Sequence, residues 1–328
     1  MGTNSGDHPI SISVVIPAFN AESYIERALD SILQQTSPAD EIIVVDDGST
    51  DQTAVKIKKY EPYITYLYQK NSGANEARNL GIQRAAADWI ALLDADDQWL
   101  PDKLAIQREI LERYPHLVWA YGNYTICKAR CSMQDAHRQE AVQIHLKEGS
   151  YFDDFLRAYA YRIPVHTITM IVKKTALAEI GLFLAGQKIG HDPDVALRLA
   201  YRYPGVGYSA QPLAIHYFGR QEGITQKTKR LLEEKKEFLL RHLEMSAQFD
   251  KRPLFEVCAQ MLLKRWIREA MEEYPGEELE SFIRQFRPLI PRNLKAEAWL
   301  RRRLPWVASP VLDFYFKLKN QMRREVIE

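Results

Sequence analysis

Cysteine is scarce, with only Cys127, Cys131 and Cys258 in 328 residues. An odd, widely spaced trio cannot build a disulfide framework and fits a reducing compartment. Cys127 and Cys131 are spaced to share a helix face, but no second pair completes a zinc site. No stretch reaches the roughly 18–20 uncharged apolar residues of a spanning helix. The opening MGTNSGDHPI has neither the basic nor the apolar region of a signal peptide. These absences predict a cytoplasmic chain and leave peripheral membrane contact open. Excess charge is missing too: 44 Lys and Arg face 43 Asp and Glu. A general nucleic-acid binder carries a basic surplus, so no nucleic-acid partner is expected. Neither G-x-G-x-x-G nor a P-loop follows the first apolar run. A bound nucleotide would therefore lack a glycine-rich phosphate cradle, and a metal would have to do much of that work.

Aromatic residues are 11% and hydrophobic residues 46%, which excludes wholesale disorder. The length allows one large domain with an annex, or two domains. Strand-like and helix-like patterns alternate through the first third. ISVVIP (12–17), EIIVVDD (41–47), ITYLYQ (64–69) and DWIALLDADD (88–97) read as strands. AESYIERALDSILQQ (21–35), TAVKIKKY (53–60) and ANEARNLGIQRAA (74–86) read as helices. Ser49-Thr50-Asp51-Gln52 has the form of a capping box before the second helix. This cadence implies βαβ units and a parallel sheet, hence an α/β fold with a mostly parallel central sheet. Farther on, 101–114 reads as a helix, 118–127 as a strand, 128–150 as a polar loop or hairpin, and 166–174 as a strand. A helix starts around Asp192-Pro193-Asp194. From about 226 the pattern turns to charged amphipathic helices broken by prolines. The expected division is a disordered 1–10, an α/β domain over 11–225 and a helical C-terminal annex over 226–328.

Ligands of parallel sheets sit outside the carboxyl ends of the strands. Here those ends carry Pro17-Ala18-Phe19-Asn20, Asp46-Asp47-Gly48-Ser49 and Asp94-Ala95-Asp96-Asp97. Carboxylates held close repel one another unless a cation offsets them. Mg²⁺ or Mn²⁺, held by one or two of these acids together with substrate phosphates, would suit the last cluster. The bland alternative is a solvated loop whose acids cap the next helix. A carboxylate at 46–47 could accept hydrogen bonds from a base or a ribose. Pro17 and Phe19 could wall a flat ring, and Ser49 could simply cap a helix.

The segments ISVVIPAFNAESYIERALDSILQQ, IIVVDDGSTD, NSGANEARNLGI and WIALLDADDQWLPDKL closely resemble the family 2 glycosyltransferases of GT-A, Rossmann-like fold. The resemblance is nearly continuous over about 11–125 and looser to about 226. It implies inverting transfer of a sugar from a nucleotide diphosphate donor to an acceptor hydroxyl. Pro17, Ala18, Phe19 and Asn20 then match the first donor-site segment, and Asp47, beside Asp46, matches the acid that reads the base. Arg78 and Asn79 match a segment beside the nucleotide, although Arg78 could equally be a surface charge on its helix. Asp94-Ala95-Asp96 matches the DxD motif, with Asp96 on the metal and Asp94 near the ribose or the metal shell. Asp192 matches the catalytic base, with Asp194, inside the first turn, as the alternative, and His191 replaces the Glu that usually precedes it. With Pro193 read as the first helical residue, Asp192 becomes an N-cap. Arg220 falls where a family loop covers the donor phosphates, and His216 is a further possible metal ligand.

Family frequency favours a uridine diphosphate sugar as donor. The implied acceptor is a glycan or lipid-linked molecule in bacterial surface polysaccharide or lipopolysaccharide synthesis. The tail 292–328 holds nine Lys or Arg against four Asp or Glu, with aromatics interleaved. Such a tail suits an anionic surface at the inner face of the cytoplasmic membrane, or packing on the catalytic domain, or a homodimer contact. Two other functions compete. One is a sugar nucleotidyltransferase, which would need a glycine-rich N-terminal phosphate loop that IPAFNAESY lacks. The other is a catalytically impaired nucleotide-sugar or glycan-binding module, for which the replaced Glu is the argument.

Overall fold

The computed structural model describes residues 10–128, 133–137, 142–163, 165–218, 232–273 and 277–290. Four short strands make its first half, three of them buried and the edge strand half-exposed. β1 (Ile12–Ala18), β2 (Glu41–Asp46), β3 (Thr65–Tyr68) and β4 (Trp89–Leu92) lie parallel in the order β3-β2-β1-β4. Val14 pairs with Ile42 on one side and with Ala91 on the other. Three helices make the crossovers: α1 (Ile25–Leu33), α2 (Thr53–Lys58) and α3 (Ala74–Arg84). Helix α1 buries Ile25, Ala28, Leu29 and Ile32 at helical spacing, and Leu33, on the same apolar count, stays exposed. On α3, a Cβ added to Gly81 would stand 2.4 Å from Val15 Cγ1. The missing side chain is what lets this helix seat on β1.

Beyond β4 the sheet is mixed. β5 (Gln98–Trp99), α4 (Lys103–Arg113) and β6 (Trp119–Cys127) follow, with a short hairpin strand, β7 (Met133–Asp135), on β6. β8 (Tyr151–Phe152), α5 (Phe155–Ala160), β9 (Ile171–Lys173), α6 (Lys174–Glu179), α7 (His191–Arg202) and β10 (Val206–Tyr217) complete the domain. The full order is β3-β2-β1-β4-β9-β6-β10-β5, with β9 antiparallel to both β4 and β6, and β6 parallel to β10. Two reversals across β9 return β6 and β10 to the direction of β4. The carboxyl ends of β1, β2, β4, β6 and β10 therefore share one rim, and the segment entering β9 starts there.

Local expectations are corrected in three places. Ser49 does not cap α2: its Oγ accepts the Asn20 N–H at 3.0 Å. Asp51 instead accepts the N–H and hydroxyl of Thr53. Cys127 ends a strand and is buried, so it shares no helix face with Cys131, which lies outside the described residues. The stretch 166–174 is a 3₁₀ turn (Thr167–Thr169) followed by the three-residue β9.

The chain divides into two compact units, one to Ile224 and one from Thr225. Among the described residues the second contains α8 (Leu232–Gln248), α9 (Arg252–Glu273) and α10 (Glu277–Gln285), packed on one another. Phe238, Phe255, Leu263, Ile267 and Phe282 fill its interior, with the buried His242 ring between Phe238 and Phe255. No described helix is long and apolar enough to cross a membrane.

Candidate functional site

The shared rim gathers polar groups from segments far apart in sequence. At the end of β1, Asn20 takes a left-handed backbone (φ +47°). It clasps the neighbouring loop through Ser49 Oγ and the Thr50 N–H. Pro17 is half-buried, Ala18 is buried and the Phe19 ring stands out, 49% exposed. At the end of β2, the carboxylate of Asp46 accepts the Ser49 N–H and the Tyr66 hydroxyl. Asp47 accepts the Gln69 side-chain amide and the Ser72 and Gly73 N–H groups, each within 2.8 Å. Three of its roughly four lone-pair sites thus hold the loop before α3. Gly48 (φ +77°) keeps this turn tight, because a Cβ there would meet the Asn71 nitrogen at 2.8 Å.

Helix α3 turns unusual residues inward. Arg78 is no surface charge: it is 5% exposed and ion-paired with Asp94 at 2.5 Å. It also donates to Asn75 and lies over the Phe183 ring. Burial works against its charge, but Asp94, Asp192 and Asp96 outweigh that and raise its pKa. Asn79 exchanges two hydrogen bonds with the backbone of Phe183, so its amide positions that loop. Burial alone would raise the pKa of Asp94, yet Arg78, His166 and His216 together lower it. Ala95 is buried and Asp96 half-buried, and the Asp96 carbonyl accepts from Arg27 at 2.7 Å. Arg27, on α1, also lies 3.7 Å above the Tyr217 ring. Its role was invisible in sequence, where it is one polar position of an amphipathic helix.

Asp97 is almost wholly buried. It accepts the Tyr217 N–H and faces His216 Nδ1 at 3.1 Å, which fixes the end of β10 to the DxD loop. Burial disfavours protonation of His216, but Asp97, Asp96 and Asp94 prevail and raise its pKa. His166, delivered by the segment entering β9, lies 4.6 Å from the His216 ring and 5.1 Å from Tyr124. Its Nδ1 is 3.7 Å from Asp192 Oδ2. His166 carried no motif in sequence; its one signal was an imidazole interrupting an apolar run. Asp97, His166 and His216 each offer a ligand atom within 4.8 Å of the others, the one such group found among the described residues. The donor set therefore fits a divalent ion, with Asp94 and Asp96 on the same loop.

The start of α7 differs from expectation. Gly190, in a left-handed conformation, is the N-cap, and Asp192 falls within the first turn. Pro193 is the third helical residue, where its missing N–H costs no helix bond. Asp192 is thus relieved of capping, and its carboxylate, 24% exposed, faces the rim. Asp194 is fully buried and forked to Arg198 at 2.7 and 2.8 Å. His191 is half-buried, and burial together with Arg78 lowers its pKa. Arg220 and the basic tail 292–328 lie outside the described residues.

A mixed sheet with an acidic loop after β4, facing a second acidic turn from α7, defines the GT-A class of transferase domain. The chain belongs to glycosyl transferase family 2, whose pattern matches residues 13–176. It is 37% identical over 152 residues to TuaG of Bacillus subtilis, named as a candidate teichuronic acid biosynthesis glycosyltransferase, covering 44% of this chain and 57% of that one. It is 31% identical over 185 residues to an uncharacterized glycosyltransferase of Rickettsia prowazekii, covering 56% and 57%. The chain thus spans somewhat over half the length of these relatives. Among solved structures, residues 1–349 of S. aureus TarS in complex with UDP-GlcNAc superpose with a TM-score of 0.62 at 16% identity, over 89% of this chain and 87% of that one. The mannosyltransferase PcManGT of Pyrobaculum calidifontis, in complex with GDP-Man and Mn²⁺, gives 0.53 at 16% identity, over 95% and 89%. At such identities the likeness is one of fold.

Proposed function

We propose that this protein moves a sugar from a nucleotide diphosphate sugar, most simply a uridine diphosphate sugar, to a hydroxyl of a glycan or lipid-linked acceptor. The anomeric centre is inverted, and the product belongs to a bacterial surface polysaccharide. The observation that carries this is the convergence of Asp94, Asp96, Arg78, His216 and Asp192 on one rim of the sheet. TarS with UDP-GlcNAc and PcManGT with GDP-Man and Mn²⁺ share the fold, and the TuaG name supplies the surface-polymer context.

Phe19 offers a flat apolar face for a base, and the Asp46–Asp47 turn offers acceptors for base or ribose donors. Arg78 holds Asp94 in place and keeps its carboxylate ionised. The DxD loop carboxylates and His216 would hold a divalent ion, which would supply positive charge opposite the departing diphosphate. Asp192 accepts the proton of the acceptor hydroxyl as that oxygen bonds to the anomeric carbon and the carbon–phosphate-oxygen bond breaks. Asp194, locked to Arg198, is in no position to share that duty.

A thermal-shift and calorimetric screen of nucleotide sugars with Mn²⁺ or Mg²⁺ tests the proposal. A ligand at 100 times its Kd should stabilise the fold by about 2.7 kcal/mol. Metal-dependent stabilisation by a uridine diphosphate sugar, with nucleotide release on adding acceptor, is expected. No response to any nucleotide sugar would overturn it.

A further inference from the structure

Two histidines meet at the rim from different directions. His216 arrives on the last turn of β10, and His166 on the segment entering the antiparallel β9. The Nδ1 of His216 lies 3.1 and 3.2 Å from the two oxygens of Asp97. Only a protonated Nδ1 is attracted by a carboxylate, so a neutral ring keeps its proton there and leaves Nε2 bare. A carboxylate behind an imidazole is the usual device for fixing a metal-binding tautomer. Asp97 is itself immobilised, being 1% exposed and bonded to the Tyr217 N–H. His166 is 16% exposed at its side chain, wedged against Tyr124 and tilted 47° to the His216 ring. Its Nδ1 accepts the Ile168 N–H at 3.5 Å and lies 3.7 Å from Asp192 Oδ2. Meanwhile Asp94, an expected partner of the ion, is already paired with Arg78.

We infer that His166 joins His216 in the ligand set of the divalent ion, giving it two imidazole nitrogens, and that the site therefore selects Mn²⁺, Co²⁺ or Zn²⁺ over Mg²⁺ and Ca²⁺. This rests on the metal-assisted sugar-transfer reading above and adds the ligand set and its selectivity. The DxD carboxylates alone are hard oxygen donors that Mg²⁺ accepts well. Imidazole nitrogens shift the preference toward first-row transition ions. Asp97 is then a positioning residue for the His216 ring.

The test is pulsed electron paramagnetic resonance of Mn²⁺ bound to the full chain with uridine diphosphate, read for ¹⁴N coupling from directly bound imidazole. Nucleotide and metal affinities are measured by calorimetry on the same samples. The expected result is two-nitrogen coupling in the wild type, one nitrogen in His166→Gln and in His216→Gln, and a loss of Mn²⁺ affinity of at least about tenfold in each. Mg²⁺ should fail to displace Mn²⁺ at equal concentration. Mn²⁺ bound without ¹⁴N coupling, or with coupling from one ring only, overturns the inference while leaving sugar transfer intact. So does Mg²⁺ binding as tightly as Mn²⁺. Failure of both uridine and guanosine diphosphate to bind with any divalent ion overturns the sugar-transfer reading instead. The wild-type spectrum decides the ligand count even where a substituted chain does not fold, and His166→Asn provides a second variant.

Discussion

Asp192 and Asp194 stand within one helical turn and face opposite environments. Asp192 looks out at the rim; Asp194 is fully buried and forked to Arg198. Replacing each with Asn should separate chemistry from stability. Asp192→Asn should lower the transfer rate by about 10²–10⁴-fold, the usual worth of a general base, with nucleotide affinity retained. Turnover and calorimetry together check this, and near-full activity would sink the assignment. Asp194→Asn strands a buried guanidinium and should cost about 3–5 kcal/mol in denaturant unfolding. A second residue-scale effect concerns His137, which is buried and bonded to the Tyr208 hydroxyl at 2.7 Å. Burial lowers its pKa to about 4 from 6.5. The unfolded chain then binds a proton that the native ring refuses, so stability falls as pH drops from about 6.5 toward 4. The contribution is about 3 kcal/mol. Urea midpoints across that range should show the slope, and His137→Asn should flatten it.

At the scale of elements, α3 explains most of how the site is held. Its Gly81 seats it against β1 and β2, while Asn75, Arg78 and Asn79 reach the 183–184 backbone and Asp94. Gly81→Ala would drive a methyl into Val15 and Val45 and should destabilise the fold by about 1–3 kcal/mol. The melting temperature should fall and the site should loosen, with weaker nucleotide binding as the readout. An unchanged melting curve would mean that the helix shifts freely. The inward face of α3 was partly legible, since ANEARNLGI matched a family segment. Its burial was not, because Arg and Asn at helical spacing read equally well as a solvated face. The reversal at β9 was likewise hidden: the three residues Ile171-Val172-Lys173 carry no sign of strand direction, and that direction is what brings His166 to the rim.

For the whole molecule, the two units each bury their own apolar interior, which is the basis for proposing that residues 11–225 are a self-sufficient domain. Expressed alone, that span should unfold cooperatively and keep the nucleotide affinity of the full chain. Aggregation or lost affinity would show that the helical annex is required. In the first unit, the chain alternation predicted parallel βαβ units, and β3-β2-β1-β4 is such a sheet. Beyond β4, strands of two and three residues (β5, β7, β8 and β9) and mixed directions join the longer β6 and β10 in place of the simple pattern. Tertiary pairing decides such short strands; propensity does not.

What the sequence determined by itself was the class of fold, the family and the acids at the strand ends. Apolar periodicity sets strand and helix, and a strand's end places its next residues at the rim. Tertiary structure alone decided which acids are free to act. Asp47 is largely engaged with its own loop, Asp94 with Arg78 and Asp194 with Arg198, whereas Asp192, which the sequence had placed at a cap, is released by Gly190. It also decided that His166 and His216, fifty residues apart, stand ring to ring. The reason is physical: hydrogen-bond and charge partners are chosen by distance in space. Spacing along the chain reports that distance only within a single helix or strand.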